Sequence, residues 1–344
     1  MFIHDPPVCF YWNERVLLPD ARIVVAVSLL LIALNVYAEE KSPIVEAAKM
    51  VLDKGAGEGP AWDPKLGLLF SGGGNINRLS REGKLDVHSE GAGTNGLLFD
   101  HDGNLLACEP VLRRVTRTTA DGKSTVLADR FEGKRFNQPN DITVDSHGRI
   151  YFSDPKYGPR TEMELVDKDG RTVEGVYRID PDGKLSRIVT HEVDRPNGLV
   201  VTADDRYLFV ADNNNNEKGG ARQLWRFDLQ ANGNVVLKSQ QLIFDWGDSR
   251  GPDGMVLDRQ GNLYVAGGTN KANLPAETND KKGGVYVFSR DGKLVDFVQI
   301  PRDEVTNCTF GDDDLKTLYV TAGGSLWSIR TNVAGRLPWP MASQ

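Results

Sequence analysis

The chain has 344 residues and a net charge of -7, from 41 Lys and Arg against 48 Asp and Glu. A mildly acidic chain with no basic cluster cannot neutralise a phosphate backbone, which excludes a nucleic-acid binder. Its cysteines, Cys9, Cys108 and Cys308, are too few and too widely spaced for a disulfide framework or a thiolate metal site, so Cys108 and Cys308 read as small buried apolar side chains.

In chain order, the first predicted element is the apolar segment IVVAVSLLLIALNVYA, residues 23–38, which follows Arg22 and ends in small residues before Glu39. It reads as the core of a signal peptide, residues 1–38, and predicts an exported, periplasmic or secreted protein. No second long apolar run follows it, so no stable membrane insertion is expected after its removal. The rest, residues 39–344, reads as one domain. Within it the stretch AAKMVLD, residues 47–53, is a short predicted strand with no neighbour of its own.

Six copies of one unit come next. They open as EGPAWD from Glu58, NGLLFD from Asn95, NDITVD from Asn140, NGLVVT from Asn197, DGMVLD from Asp253 and NCTFGD from Asn307. Five residues on, a turn opens at Asp63, Asp100, Asp145, Thr202, Asp258 and Asp312. A second apolar run follows each turn. In the better copies a third and fourth follow, as in GVYRIDPDGKLSRIV from Gly175, where Asp-Gly marks a hairpin. Each unit is therefore about four strands, without the 3.6-residue period of helical repeats.

Six such sheets bury both faces only when packed around an axis, which predicts an all-β, six-bladed propeller. The sixth copy ends after SLWSIR, so the N-terminal strand is expected to supply its outer edge and close the ring. Residues 155–174 and 270–283 are insertions after the second strand of blades three and five.

The start of each blade's first strand should converge on the central channel. The convergent set, Glu58, Asn95, Asn140, Asn197, Asp253 and Asn307, carries only side-chain oxygens and amides and no positive charge. Turn chemistry explains Asn95 and Asn197, which precede Gly, but neither Glu58 nor Asn140. Two carboxylates with several carboxamides suit a hard cation, Ca²⁺ first. Mg²⁺ would need stricter octahedral geometry, Mn²⁺ and Zn²⁺ are further alternatives, and Zn²⁺ finds no His or Cys at these positions.

The motifs EGPAW, PND, RPNGL and GPDGM, in this order within six repeats, resemble those of the gluconolactonase and regucalcin (senescence marker protein) family. The segment RFNQPNDITVDSHGRIYFSDPKYG, residues 135–158, is most similar to its bacterial gluconolactonase branch. The resemblance covers nearly all of residues 39–344. It implies a six-bladed propeller with one catalytic divalent cation, held by Glu58, Asn140, Asn197 and Asp253, and a small lactone as substrate. Asn197 would then be a ligand as well as a turn former. Where animal members carry an Arg two residues before Asn140, this chain has Gln138, with Arg135 upstream as the candidate substrate-binding Arg.

The expected chemistry is water attack on a lactone carbonyl polarised by the cation, with Asp253 as general base or as ligand only. Asn95, Arg135, Tyr157 and Asn307 are the candidate substrate contacts. Asp154 reads as either a pocket residue or a structural corner, His101 and His147 as exposed turn residues, and the run NNNN at 213–216 as a polar loop. Other readings are hydrolysis of other lactones or organophosphate esters, a metal-free alkaloid-condensing (strictosidine synthase-like) propeller, and a non-catalytic binding scaffold. A scaffold would have no need of Glu58 and Asp253 converging on the axis.

Overall fold

The computed structural model describes Met1 and residues 42–339, so the predicted signal peptide lies, but for Met1, outside the described residues. Among the described residues every regular element is a strand. Six four-stranded antiparallel sheets follow one another along the chain. Their inner strands are Glu58–Asp63, Leu97–Phe99, Ile142–Val144, Pro196–Val201, Pro252–Leu257 and Val305–Gly311. Each contacts the inner strands of its two neighbours, which closes the set into a six-bladed propeller.

The burial pattern explains why the second strands read as unbroken apolar runs. Leu105–Glu109 and Ile150–Asp154 are buried at every residue, because blades pack against both faces. The outer strand Leu85–Ser89 is mostly exposed. Six buried apolar clusters result, one at each blade interface. Between blades two and three, Phe136, Phe152 and Tyr177 meet ring to ring at 5.1–5.4 Å. Truncating a buried Phe of this kind costs about 3–5 kcal/mol.

The repeated Asp works as a turn former. Asp145 Oδ1 accepts the amides of His147 and Arg149, both at 3.0 Å, and Asp100 and Asp258 repeat the arrangement. Blade six takes its outer strand, Lys49–Leu52, from the start of the chain, with Lys49 opposite Ser328 and Met50 opposite Trp327, as the truncated sixth copy required.

The inner strands begin irregularly. Their registers shift between Glu58 and Ala61, Pro196 and Leu199, and Pro252 and Met255. A bulge of this kind re-aims its first side chain out of the pleat. The Asn-Gly pairs are thus not hairpin turns, contrary to the turn reading. Asn197 and Gly198 lie inside a strand. A Cβ on Gly198 would lie 2.0 Å from the Asp253 carbonyl oxygen, and one on Gly96 would lie 2.6 Å from that of Asn140. Gly stands there because the next blade's backbone passes too close for any side chain.

Residues 332–339 cross the far end of the channel. Arg336 N donates to Leu257 O at 2.9 Å, Gly335 N to Leu315 O at 2.7 Å, and the Trp339 indole to Asp63 Oδ2 at 2.8 Å. Arg336, Leu337 and Pro338, with inner-strand residues such as Val144, Val201 and Leu257 and with Asp141 and Asn307, enclose a small cavity of about 60 Å³ in the channel.

Candidate active site

At the head of the channel the starts of the inner strands bring Glu58, Asn140, Asn197, Asp253 and Asn307 together with a residue the repeat alignment passed over, Asp141. The Asn307 carboxamide bridges two of the acids, its Nδ2 lying 3.0 Å from Glu58 Oε2 and 3.4 Å from Asp141 Oδ2. Its Oδ1 accepts the amide of Cys308 at 2.8 Å, so Asn307 is fully occupied in holding its neighbours. Glu58 Oε2 also accepts the amide of Gly59.

The other carboxamides are used differently. Asn197 Nδ2 donates to the Tyr157 hydroxyl, which fixes the amide plane and leaves its Oδ1 free. Asn197 Oδ1, Asn140 Oδ1, Asn95 Oδ1 and Asp253 Oδ1 are all buried without a hydrogen-bond partner. A buried unpartnered acceptor costs about 1–3 kcal/mol, so four of them at the starts of the inner strands call for a partner that supplies positive charge or a donor.

The acids are equally unbalanced. Burial, followed by the Asp253 and Asp141 charges, raises Glu58 well above the usual carboxylate range. Burial pushes Asp253 up to about 7 against the pull of Arg250, with Asp141 adding to the rise. Burial pushes Asp141 to about 7 as well. Like charges buried together are costly unless a cation joins them. Among the described residues no three His, Cys, Asp or Glu side chains are placed to hold a metal by themselves, so any ion here must also draw on carboxamide oxygens. Oxygen ligands of mixed charge would fit a hard divalent cation, and the free oxygens of Asn140, Asn197 and Asp253 are the groups that could hold one.

Tyr157 comes from the blade-three insertion. Its hydroxyl joins Asn197 to Asn213, 3.3 Å away, and its ring lies 5.6 Å from the Arg195 guanidinium. Arg195 is itself buried and bonded to Glu174 at 3.1 Å. Burial, then the Asp253 charge, raises the Tyr157 phenol well above 10, so it stays protonated.

Several expectations change. Arg135 stands apart from the ring on the exposed hairpin strand Lys134–Arg135, where it pairs with Glu164 at 2.6 Å. Asp154 is a structural corner: it accepts the amides of Asn137 and Gln138, each at 2.8 Å, and Asp212 repeats this in blade four with Asp194 and Arg195. The asparagine run is not a loop throughout. Asn213, Asn214 and Asn215 are buried, and only Asn216 is exposed. His147 is exposed, but His101 is half-buried with Nε2 2.8 Å from Asp145 O of the next blade.

Asp141 was findable: it is the acidic residue in PND where four other copies have Gly. Asn213 follows Asp212 as Pro155 follows Asp154, so aligning the second strands would have marked it too. Arg250, three residues before Asp253, carries no repeat signal.

The gluconolactonase of Zymomonas mobilis is 30% identical over 71% of this chain, a match spanning 64% of that relative's length, just under two thirds. The pentonolactonase of Haloferax volcanii is 28% identical over 78% of this chain and 81% of its own. Among solved structures, a gluconolactonase of Xanthomonas campestris, important in glucose secondary metabolic pathways, superimposes with a TM-score of 0.69 at 30% identity, over 86% of this chain and 93% of its own. The family described as SMP-30/Gluconolactonase/LRE-like region matches residues 56–324. This chain belongs to that family.

Proposed function

We propose that this protein hydrolyses a sugar lactone at a divalent cation, Ca²⁺ first, held at the head of the channel by Glu58, Asn140, Asn197 and Asp253. The observation that carries the reading is the set of buried, unpartnered Oδ1 atoms of Asn140, Asn197 and Asp253. Bound there, a divalent cation would supply Lewis-acid polarisation of the lactone carbonyl and a counter-charge for the negative charge that develops on its oxygen.

The chain's own residues do the rest. Tyr157 holds Asn197 with its oxygen toward the channel, and Asn307 holds the carboxylate of Glu58. Asp253 takes a proton from the attacking water as the carbon–oxygen bond forms. It returns that proton to the ring oxygen when the acyl–oxygen bond breaks, so the open hydroxy acid leaves and the carboxylate is regenerated. The gluconolactonase and pentonolactonase relatives support a lactone as substrate.

Elemental analysis of the purified protein, calorimetric titration of the stripped protein with Ca²⁺ and a lactone hydrolysis screen test this together. One ion per chain and hydrolysis lost on chelation are expected. Full activity after exhaustive chelation, with no metal found, would overturn it. Export is proposed on residues 23–38, and the exported protein should begin at Glu39 when its terminus is sequenced.

A further inference from the structure

The blade-three insertion that carries Tyr157 ends on a buried acid, Glu174, which is 5% exposed and stands one residue before the strand Gly175–Ile179. Its Oε2 accepts two donors: the amide of Lys156, next to Tyr157, at 2.8 Å, and Arg195 Nε, two residues from Asn197, at 3.1 Å. Its Oε1 accepts Arg160 Nε. Arg160 reaches on to Asp194 Oδ1 at 2.8 Å, and Asp194 Oδ2 accepts Asn214 Nδ2 at 2.6 Å. One carboxylate therefore grips the chain on both sides of the contact in which Asn197 Nδ2 donates to the Tyr157 hydroxyl.

The propeller does not need this grip elsewhere. Asp154 lies opposite Gly175, Asp212 opposite Gln223 and Gly267 opposite Gly284, which sets blades three, four and five in register. The residue before each of these partners is Glu174, Arg222 and Gly283, and the residue two before the ring position of the following blade is Arg195, Gly251 and Val305. At the seam of blades four and five, Arg222 packs on Gly251, where a Cβ would lie 3.0 Å from the Arg222 Cβ. Of these three seams, only the one beside Tyr157 has an acid and a base at the two places. Apolar side chains of similar volume often replace a buried ion pair with no loss of stability, so folding alone gives no reason for it.

We infer that Glu174 is a positioning residue for the ring: by fixing Lys156 and Arg195 together it seats the Tyr157 phenol on Asn197 and so sets the direction of Asn197 Oδ1. The inference rests on the reading of the ring as a cation site. Glu174 itself bonds to no ring residue and acts through Tyr157.

The test replaces the pair by apolar side chains, Glu174→Leu with Arg195→Met, in the full chain. Tm should stay near wild type. In the metal-free protein the amide of Tyr157, which donates to Gln138 and not to Glu174, should exchange about 10-fold faster or more by NMR. Calorimetry should show the Ca²⁺ Kd raised by about 3- to 10-fold, the loss of one hydrogen bond's worth of orientation. Tyr157→Phe should weaken Ca²⁺ by a similar factor, and adding it to the double variant should change Kd by less than about twofold, because both act through one contact. A merely structural pair would lower Tm and show no such coupling. Glu174→Gln, with the same shape and no charge, repeats the cycle if the double variant does not fold. Unchanged exchange and Kd, or effects that add in full to those of Tyr157→Phe, would overturn the inference. A wild-type chain that binds no cation, while its Tyr157 exchange still depends on Glu174, would sink the cation reading and leave the seating of Tyr157 standing. Ca²⁺ binding indifferent to Glu174 would do the reverse.

Discussion

Asp253 and Asn197 lie on adjacent blades of one ring, each with a buried free oxygen, yet only one of them can move a proton. Asp253→Asn keeps an oxygen but removes the proton acceptor, so turnover should fall by about 10²- to 10⁴-fold even at saturating Ca²⁺. Asn197→Ala removes a neutral oxygen, and excess Ca²⁺ should restore part of its activity. Near wild-type turnover of Asp253→Asn at saturating Ca²⁺ would reduce Asp253 to a ligand. The buried acids set a second expectation. Glu58, Asp141 and Asp253 all have raised folded values, so the metal-free folded protein holds protons that the unfolded chain releases. That stabilisation is complete below the ordinary carboxylate pKa of about 4 and is lost as pH rises through about 7, the folded value of Asp141 and Asp253. Metal-free Tm should therefore fall between about pH 5 and pH 8, and the rise in Tm on adding Ca²⁺ should grow over the same window. An equal Ca²⁺ increment at both ends would contradict this. The acids and carboxamides at the strand starts were legible because the repeat places them in register. Asp141 was legible too, as an acid where four other copies have Gly, but aligning only the first residue of each copy passed over it, and Arg250 stayed hidden because no copy repeats it.

At the scale of the strand, the ring rests on inner strands of which several start on a bulge, and in four of the six copies the residue after the ring side chain is a Gly with no Cβ. The sequence displayed this as Asn-Gly, a pair that signals a hairpin when only local preferences are weighed. The tertiary reason, a neighbouring backbone 2.0 Å from where a Cβ would stand at Gly198, is invisible until the blades are assembled. Gly198→Ala should cost about 1–3 kcal/mol as overpacking, and because the displaced atom is the carbonyl of Asp253 it should also weaken Ca²⁺ binding. Gly183→Ala is the control. It sits at a hairpin with φ +84° and nothing within 4 Å of a built Cβ, so it should cost local strain and leave Ca²⁺ affinity unchanged. Equal effects of the two variants on Ca²⁺ affinity would show that the close approach does not position the ring. Other elements were read correctly from local chemistry: Asp145 and its equivalents mark real turns, and the missing fourth strand of blade six pointed directly to Lys49–Leu52.

At the scale of the molecule, blades held mainly by one apolar cluster per interface can part at any of six seams, so the ring needs ties that span several of them. Three ties reach across seams. The proposed cation would draw on blades one, three, four and five, and the N-terminal strand joins the chain's start to blade six. The third is the segment 332–339, which bonds to blades five, six and one through Leu257, Leu315 and Asp63, with the Trp339 ring packed against Gly103 of blade two. This last tie was not legible in the sequence, since a Pro-rich end after the final strand carries no periodicity, and its order comes entirely from contacts with distant turns. It also lies at the opposite end of the channel from Tyr157: Arg336, Leu337 and Pro338 meet the later residues of the inner strands, such as Val201 and Leu257, whereas the ring stands at their starts. Stability and catalysis should therefore separate. Removing residues 332–344 should lower Tm and uncover the channel cavity, seen as binding of a hydrophobic dye, because the apolar inner strands there lose their cover. The kcat of the molecules that remain folded, and their Ca²⁺ affinity, should match the full chain. Trp339→Ala should give a smaller fall in Tm by releasing one bond and one ring contact. A truncated protein with unchanged Tm would show that the segment ties nothing, and one with normal Tm but lost kcat would place it in the chemistry instead.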